Sequence, residues 1–298
     1  MTKSLMLSAL IAAVASVVSA QVRPEGGPDA ACQILDNPVK PIYRIGVSHV
    51  PASRFSGYGE SSMVEIEADW YFAQLMDIGY GDVDLNMELD LILWGHSAGL
   101  HMPDQLLELA LDAGWTWRYA NGMGFQIRAM PGIYSDMEEL SSEMFYMPFS
   151  FAVVHAFDPA LSGIAGAVVR PSFNRVVMPM IGVEWEVSDA WRVQARIPES
   201  RVTWFADPCF SVHLGMEWRN TTFALRERGR FDREEISLED YRAYIGAAYR
   251  YSDQLELTGD IGTIFGRNVE FEDDAHAFDG EIDISSDMFV RLGIVGPF

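Results

Sequence analysis

From Asp82 to Leu93 the chain reads D-V-D-L-N-M-E-L-D-L-I-L, and every second residue is apolar. Val83, Leu85, Met87, Leu89, Leu91 and Leu93 share one parity, while Asp82, Asp84, Asn86, Glu88 and Asp90 share the other. Successive side chains of a strand point to opposite faces, so a period of two builds a sheet with one apolar and one wet face. Helical spacing would set Asp84 and Glu88 beside Leu91 and mix the classes. The run exceeds the roughly 5–6 residues usual for a strand in a soluble protein and reaches the roughly 9–11 that cross a bilayer. The pattern therefore predicts an all-β fold, an antiparallel transmembrane β-barrel.

The same alternation recurs along the chain between turn signals. Ile42–Val50 makes a first strand. In the second, Val64, Ile66, Ala68, Trp70 and Phe72 alternate with Glu65, Glu67, Asp69 and Tyr71. Leu106–Trp117 fits helical and strand spacing alike; the strand is preferred because Asn121-Gly122 then turns it into Phe125, Ile127 and Ala129 as a hairpin. Phe149–Phe157 opens a further pair around Asp158-Pro159. Val177–Val187 and Trp191–Ile197 form a hairpin whose polar face sets Glu184 and Glu186 against Arg192, Gln194 and Arg196, a stabilising cross-strand arrangement. Phe210–Trp218, Tyr241–Arg250, Leu255–Phe265 and Met288–Phe298 follow. Gly132–Met144, Arg226–Asp240 and Glu270–Asp287 are expected as long charged loops. The count comes to about 12–14 strands, with closure required because no sheet edge can stay open in lipid. Trp70, Trp94, Trp115, Trp117, Trp185 and Trp191 fall near strand ends, where an indole suits a membrane–water interface.

Residues 1–20 read as a signal peptide: Lys3, an apolar stretch from Leu5 to Val18, and a small-residue cleavage site at Val18-Ser19-Ala20. Residues 21–41, rich in Pro and Gly, make a flexible lead-in, and 42–298 the barrel. A lipoprotein would need a cysteine directly after the apolar core, and Cys32 is too distant. Cys32 and Cys209 are the two cysteines; export permits a disulfide but leaves pairing open. A formal net charge of −22 argues against nucleic acid and against anionic headgroups as partners. Only Lys3 and Lys40 are lysines, so the cations of the barrel are arginines, which pair bidentately with carboxylates. Genomic base composition would give the same bias.

Three passages resemble, together, a family of exported bacterial proteins of unknown function that are predicted outer-membrane β-barrels. They are Met178–Ala206 with its W-x-V-x-A-x-I-P-E-S-R core at Trp191–Arg201, Ile261–Glu272 as I-G-T-I-F-G-R-N-V-E-F-E, and the close D-M-F-V-R-L-G-I-V-G-P-F. The resemblance runs over most of the chain after the signal peptide. It implies a porin-like fold, a bacterial outer-membrane location and the barrel assembly machinery as a partner, and it brings no catalytic or binding residues. Val290, Leu292, Ile294 and terminal Phe298 resemble the last-strand assembly signal of such proteins, with Pro297 departing from a clean strand ending.

Chemistry beyond a barrel is sparse in the sequence. The six histidines, His49, His96, His101, His155, His213 and His276, form no H-x-x-x-H or H-E-x-x-H pair. Ser48–His49 and His96–Ser97 are adjacent and so point to opposite faces; only Ser211 and His213 share a parity, as a nucleophile and base would need. No catalytic residue, metal site or cofactor is expected. The polar parity supplies a lumen lining instead: Glu65, Glu67, Asp69, Asp84, Glu88 and Asp90 as a carboxylate band, with Arg192 and Arg196, and Arg128, Arg219, Arg242 and Arg250, from strands further along. These residues either pair across a filled lumen or line an aqueous pore for ions or small solutes. The sequence thus predicts a passive, cation-preferring channel or small-solute porin in outer-membrane lipid. A non-conducting barrel whose acidic loops bind a partner is the alternative, and a soluble periplasmic sandwich or lipocalin-like cup, burying the same residues, is the remaining one.

Overall fold

The computed structural model describes residues 42–78, 81–95, 103–118, 122–138, 144–171, 173–225, 235–272 and 280–297. The expected signal peptide and lead-in with Cys32, and His96, His101, His276, Asn121 and Phe298, lie outside the described residues. Among those described, every regular element is a strand. Fourteen strands close one antiparallel barrel: β1 (Ile42–Phe55), β2 (Gly59–Ile78), β3 (Gly81–Trp94), β4 (Gln105–Arg118), β5 (Met123–Ala129, continued as Gly132–Ser135), β6 (Phe145–Tyr146, continued as Phe149–Asp158), β7 (Leu161–Val169), β8 (Val177–Ser188), β9 (Trp191–Ile197), β10 (Glu199–Asp207), β11 (Phe210–Ala224), β12 (Glu235–Ser252), β13 (Leu255–Glu272) and β14 (Gly280–Ile284, continued as Asp287–Pro297). Each strand pairs with its sequence neighbour, and β1 closes the ring on β14 from Ile42–Pro297 to His49–Val290. Closure gives each strand a partner on both sides over at least part of its length, as a sheet in lipid requires.

The alternation sets the faces as the sequence predicts. Val83, Leu85, Leu89 and Leu91 lie on the outer face and pair in register with outer residues of β2 and β4. Ile127, Phe151, Ile181, Leu214, Ile245 and Leu292 stand out from the wall, each more than half exposed. The β4 segment, ambiguous from spacing, is a strand because its ladder to β3 runs unbroken from Leu93–Gln105 to Gly81–Trp117.

One feature departs from the sequence expectation, and the polarity explains it. Near the ends of the strands joined by the longer connections, the faces invert. On β3 the inner parity runs Glu88, Asp90 and then Ile92, Trp94; on β2 it runs from Glu65 to Met63, on β1 from Ser48 to Val50, and on β4 from Glu108 to Leu106. These inner residues join Phe55, Phe223, Ile236, Val269, Phe271, Ile282 and Ile284 in one buried apolar cluster. The outward side chains here are polar, among them Arg54, Glu60, Glu239, Glu281 and Asp283. Glu235–Asp240, Glu270–Glu272 and Gly280–Ile284, expected inside charged loops, are therefore strands, with Glu235, Glu239, Glu270, Glu281 and Asp283 facing out while Ile236, Val269 and Ile282 pack inward. The first four residues of the expected Gly132–Met144 loop are strand as well. Glu199–Asp207, missed in sequence, is β10. Trp94 is not at an interface: it is buried in the apolar cluster, edge-on to Phe55 at 5.7 Å between centroids.

The barrel narrows to make this second tier. Pro131 and Pro148, which lack an N–H, interrupt β5 and β6 side by side, with Met130 N–H donating to Pro148 O at 2.8 Å and Leu111 N–H to Pro131 O at 3.0 Å. Beyond the break β5 leans across to β11, where Ser135 pairs in parallel with Ala224. The upper tier is thus ringed by β1–β5 and β11–β14, while β7–β10 end below it.

Candidate functional site: the lumen

Three layers follow one another along the axis. The first is a cavity of about 600 Å³ in the lower tier, reaching from Arg44, Glu256 and Val295, beside the paired chain ends, to Glu108, Asp90 and Arg219. Nine carboxylates and five arginines line it. The expected lining residues all fall on the inner parity. Glu67, Asp69, Glu88, Asp90 and Arg192 line this cavity; Glu65, Asp84 and Arg196 lie in ion pairs at its margins.

The carboxylates stand in register on β2, β3 and β4. Glu67 is opposite Asp90, Asp90 opposite Glu108, and Asp69 opposite Glu88. Like charges directly opposite are destabilising, so the sheet needs cations from elsewhere. Arg219, across the lumen on β11, supplies one to Glu65, Glu67 (3.2 Å) and Asp90. Among the described residues Asp69 meets only the far end of Arg44, at 4.0 Å, with both side chains about half or more exposed. Asp84 and Asp112 share Arg128, which donates to Asp84 Oδ2 at 2.6 Å.

The second layer is a plate of ion pairs that crosses the lumen. Arg242 Nη1 donates to Glu65 Oε2 at 2.6 Å, and its Nε to Asp240 Oδ1 at 3.0 Å; the Arg242 and Glu65 side chains are 2% and 0% exposed. Arg291 bonds Asp260 Oδ2 at 2.8 Å and reaches Glu217 at 3.5 Å. Asp260 also meets His213 Nε2 at 2.7 Å. Ser211 does share the inner face with His213, as the parity predicts, but His213 is engaged by Asp260 and lies edge-on to Tyr244. Asp260, Arg291 and Tyr244 went unremarked in the sequence although they stand on the polar parity of their strands. The third layer is the apolar cluster, which fills the upper tier.

The connection between β7 and β8 lies against β11–β13 and sends Phe173 into that cluster, 5.4 Å from Tyr134 and from Tyr146. Arg170 donates to Asn220 Oδ1 at 2.7 Å and to the Asn220 carbonyl; Asn174 Nδ2 donates to Glu270 Oε2 at 2.8 Å, and Arg175 Nε to Glu239 Oε2 at 2.7 Å. The Glu239 carboxylate pushes the Arg175 guanidinium further up from its ordinary value. Cys209, in the turn between β10 and β11, is disulfide-bonded. No group of His, Cys, Asp and Glu among the described residues has the arrangement of a metal site.

No functionally curated protein matches the chain. Among solved structures it is similar to the COG4313 outer membrane channel from Pseudomonas putida F1, at 11% identity and a TM-score of 0.45 over 92% of this chain and 100% of that one. It is similar also to the KdgM porin (8% identity, TM-score 0.33, 86% and 99% covered) and to a deletion mutant of the TodX monoaromatic hydrocarbon channel (11%, 0.36, 88% and 91%). A family model matches residues 97–289, more than half of the chain, and the protein therefore belongs to the family described as a domain of unknown function, DUF6268.

Proposed function

We propose that the protein is an outer-membrane barrel of the channel or porin type that admits small polar solutes, with cations preferred. The observation that carries this reading is the lower tier, a closed barrel apolar outside and charged inside, around a cavity of about 600 Å³. Such a wall is stable where lipid meets the outer face and water the inner one. In water alone, the half-exposed Ile127, Phe151, Leu214 and Leu292 would form an apolar girdle with nothing to cover it. Outer-membrane lipid is then the partner of that girdle. Cation preference follows from the excess of carboxylates in the cavity, chiefly Asp69 and Glu88, which Arg219 does not bridge.

Planar-bilayer recording of refolded protein in a potassium chloride gradient tests this. Conductance with a reversal potential of cation-selective sign is expected, and the double substitution Asp69→Asn with Glu88→Gln should move that potential toward zero. Complete absence of conductance in folded protein overturns the channel reading. Anion preference overturns the role of the carboxylates.

A further inference from the structure

We infer that solutes pass between the cavity and the medium beyond the upper tier sideways, over the rim of the short wall β8–β10 and past the 170–176 connection, and not along the barrel axis. The inference rests on the channel reading above and concerns its route.

The axis is closed twice. The Glu65–Arg242 pair fills its centre with side chains almost wholly removed from solvent. Above it, Phe55, Phe223, Ile236, Val269 and Phe271 are 0–1% exposed. A hydrated ion on that path would shed its water among apolar side chains, and the buried Arg267 guanidinium there, bonded to Ser53 at 2.7 Å, would repel a cation. Opening the path would mean dismantling the tier that closes the sheet.

The side is closed by a single connection that contributes one aromatic side chain, Phe173, to the apolar cluster. The β9–β10 hairpin turns at Pro198, so the β8–β9 ladder begins only at Ile181–Ile197 and the β10–β11 ladder only at Glu199–Glu217. Beyond those pairs β8 still runs to Val177 beside β7, and β11 to Ala224 beside β12. Among the described residues no strand fills the space between those two edges below the Ser135–Ala224 pair of β5 and β11. Trp218 N–H donates to Pro198 O, the last link of the wall. The gap is spanned by the connection between β7 and β8, which is anchored by Phe173, buried in the apolar cluster 5.4 Å from Tyr134 and from Tyr146, and by polar ties to β11–β13: Arg170 to Asn220, Asn174 to Thr222 and Glu270, Arg175 to Glu239. Arg175 is 48% exposed, so its pair with Glu239 is open to competition by water. The cavity already reaches the rim, since Pro198 and Glu199 line it. The wall on the far side of the gap presents Ile164, Gly166, Val168, Met180 and Gly182 on its inner parity, between Arg170, held by Asn220, and Glu184, held by Arg196.

Asn174 N–H lies 3.4 Å from Thr222 Oγ1, close enough for a short thiol-to-thiol cross-link between cysteines at the two positions. The full-length variant N174C/T222C, treated with a short bis-methanethiosulfonate reagent, should lose at least tenfold of its bilayer conductance. Reductant should restore it, with reduced wild type as the control for the native disulfide. Arg175→Ala, which frees one tether, should raise the open fraction several-fold. Undiminished conductance after confirmed cross-linking, with the wild type conducting, overturns the lateral route and leaves the channel reading standing. A wild type that conducts nothing overturns the channel reading and the route with it. If the double-cysteine variant does not fold, an unchanged open fraction in Arg175→Ala overturns the route.

Discussion

Glu65→Gln isolates the plate of charges that crosses the lumen. Glu65 is fully buried and holds two guanidiniums, Arg242 at 2.6 Å and Arg219. Glutamine keeps the shape but removes the charge, leaving Arg242, only 2% exposed, short of its counter-ion. Removing one partner of a buried pair typically costs about 3–5 kcal/mol, because the other charge stays desolvated. Here Arg242 keeps Asp240 at 3.0 Å and Arg219 keeps Glu67 at 3.2 Å, so the low end applies. The expected loss is about 3 kcal/mol, on the order of a hundredfold in the unfolding equilibrium. The internal standard is Glu186→Gln, which breaks a 3.1 Å pair with Arg192 where both side chains are about half or more exposed; such a pair is worth less than about 1 kcal/mol. Urea unfolding of protein folded into vesicles, followed by tryptophan fluorescence, reads both variants with an unchanged denaturant slope. Adding Arg242→Met to Glu65→Gln should recover part of the loss, since the stranded charge is then gone. If Glu65→Gln shifts the midpoint no further than Glu186→Gln, the plate does not hold the lower tier together as argued.

Leu214 stands 61% exposed on the outer face of β11. Leu214→Arg should cost about 2–4 kcal/mol of folding into vesicles if that face meets the bilayer core; a change within about 0.5 kcal/mol, as at an ordinary water-exposed position, would contradict the membrane reading. At Gly246 a Cβ would stand 1.9 Å from Asp260 Oδ1 and 2.5 Å from His213 Nε2, so Gly246→Ala must displace the His213–Asp260 contact. A loss of about 1–3 kcal/mol is expected by the same urea assay, against little change for Gly259→Ala, whose nearest neighbour is a leucine methyl at 3.5 Å; equal effects would refute the crowding.

The sequence by itself determined most of the lower-tier strands and which side chains of each share a face, because side-chain alternation is a local property that survives any register the strands adopt. D-V-D-L-N-M-E-L settles which side chains of β3 share a face, and the same alternation put Glu65, Glu67, Asp69, Asp84, Glu88, Asp90, Arg192 and Arg196 on the polar parity of their strands before any pairing was known; which parity looks inward is decided by closure of the ring. It could not say which charges meet. Arg219 and Glu65 are 154 positions apart and come together only through closure of the ring. Nor could it reveal the second tier. Asp90 and Ile92 have the same parity, and a strand that changes polarity along one face looks locally like a strand that ends. That is why Glu235–Asp240, Glu270–Glu272 and Gly280–Ile284 read as loops. Only the tertiary structure, by bending β5 at Pro131 until Ser135 meets Ala224, surrounds Ile92, Trp94, Phe223 and Phe271 with one another. Once the ring is narrow enough for side chains from facing walls to touch, burying apolar groups inside is favourable, and their charged neighbours turn out to water.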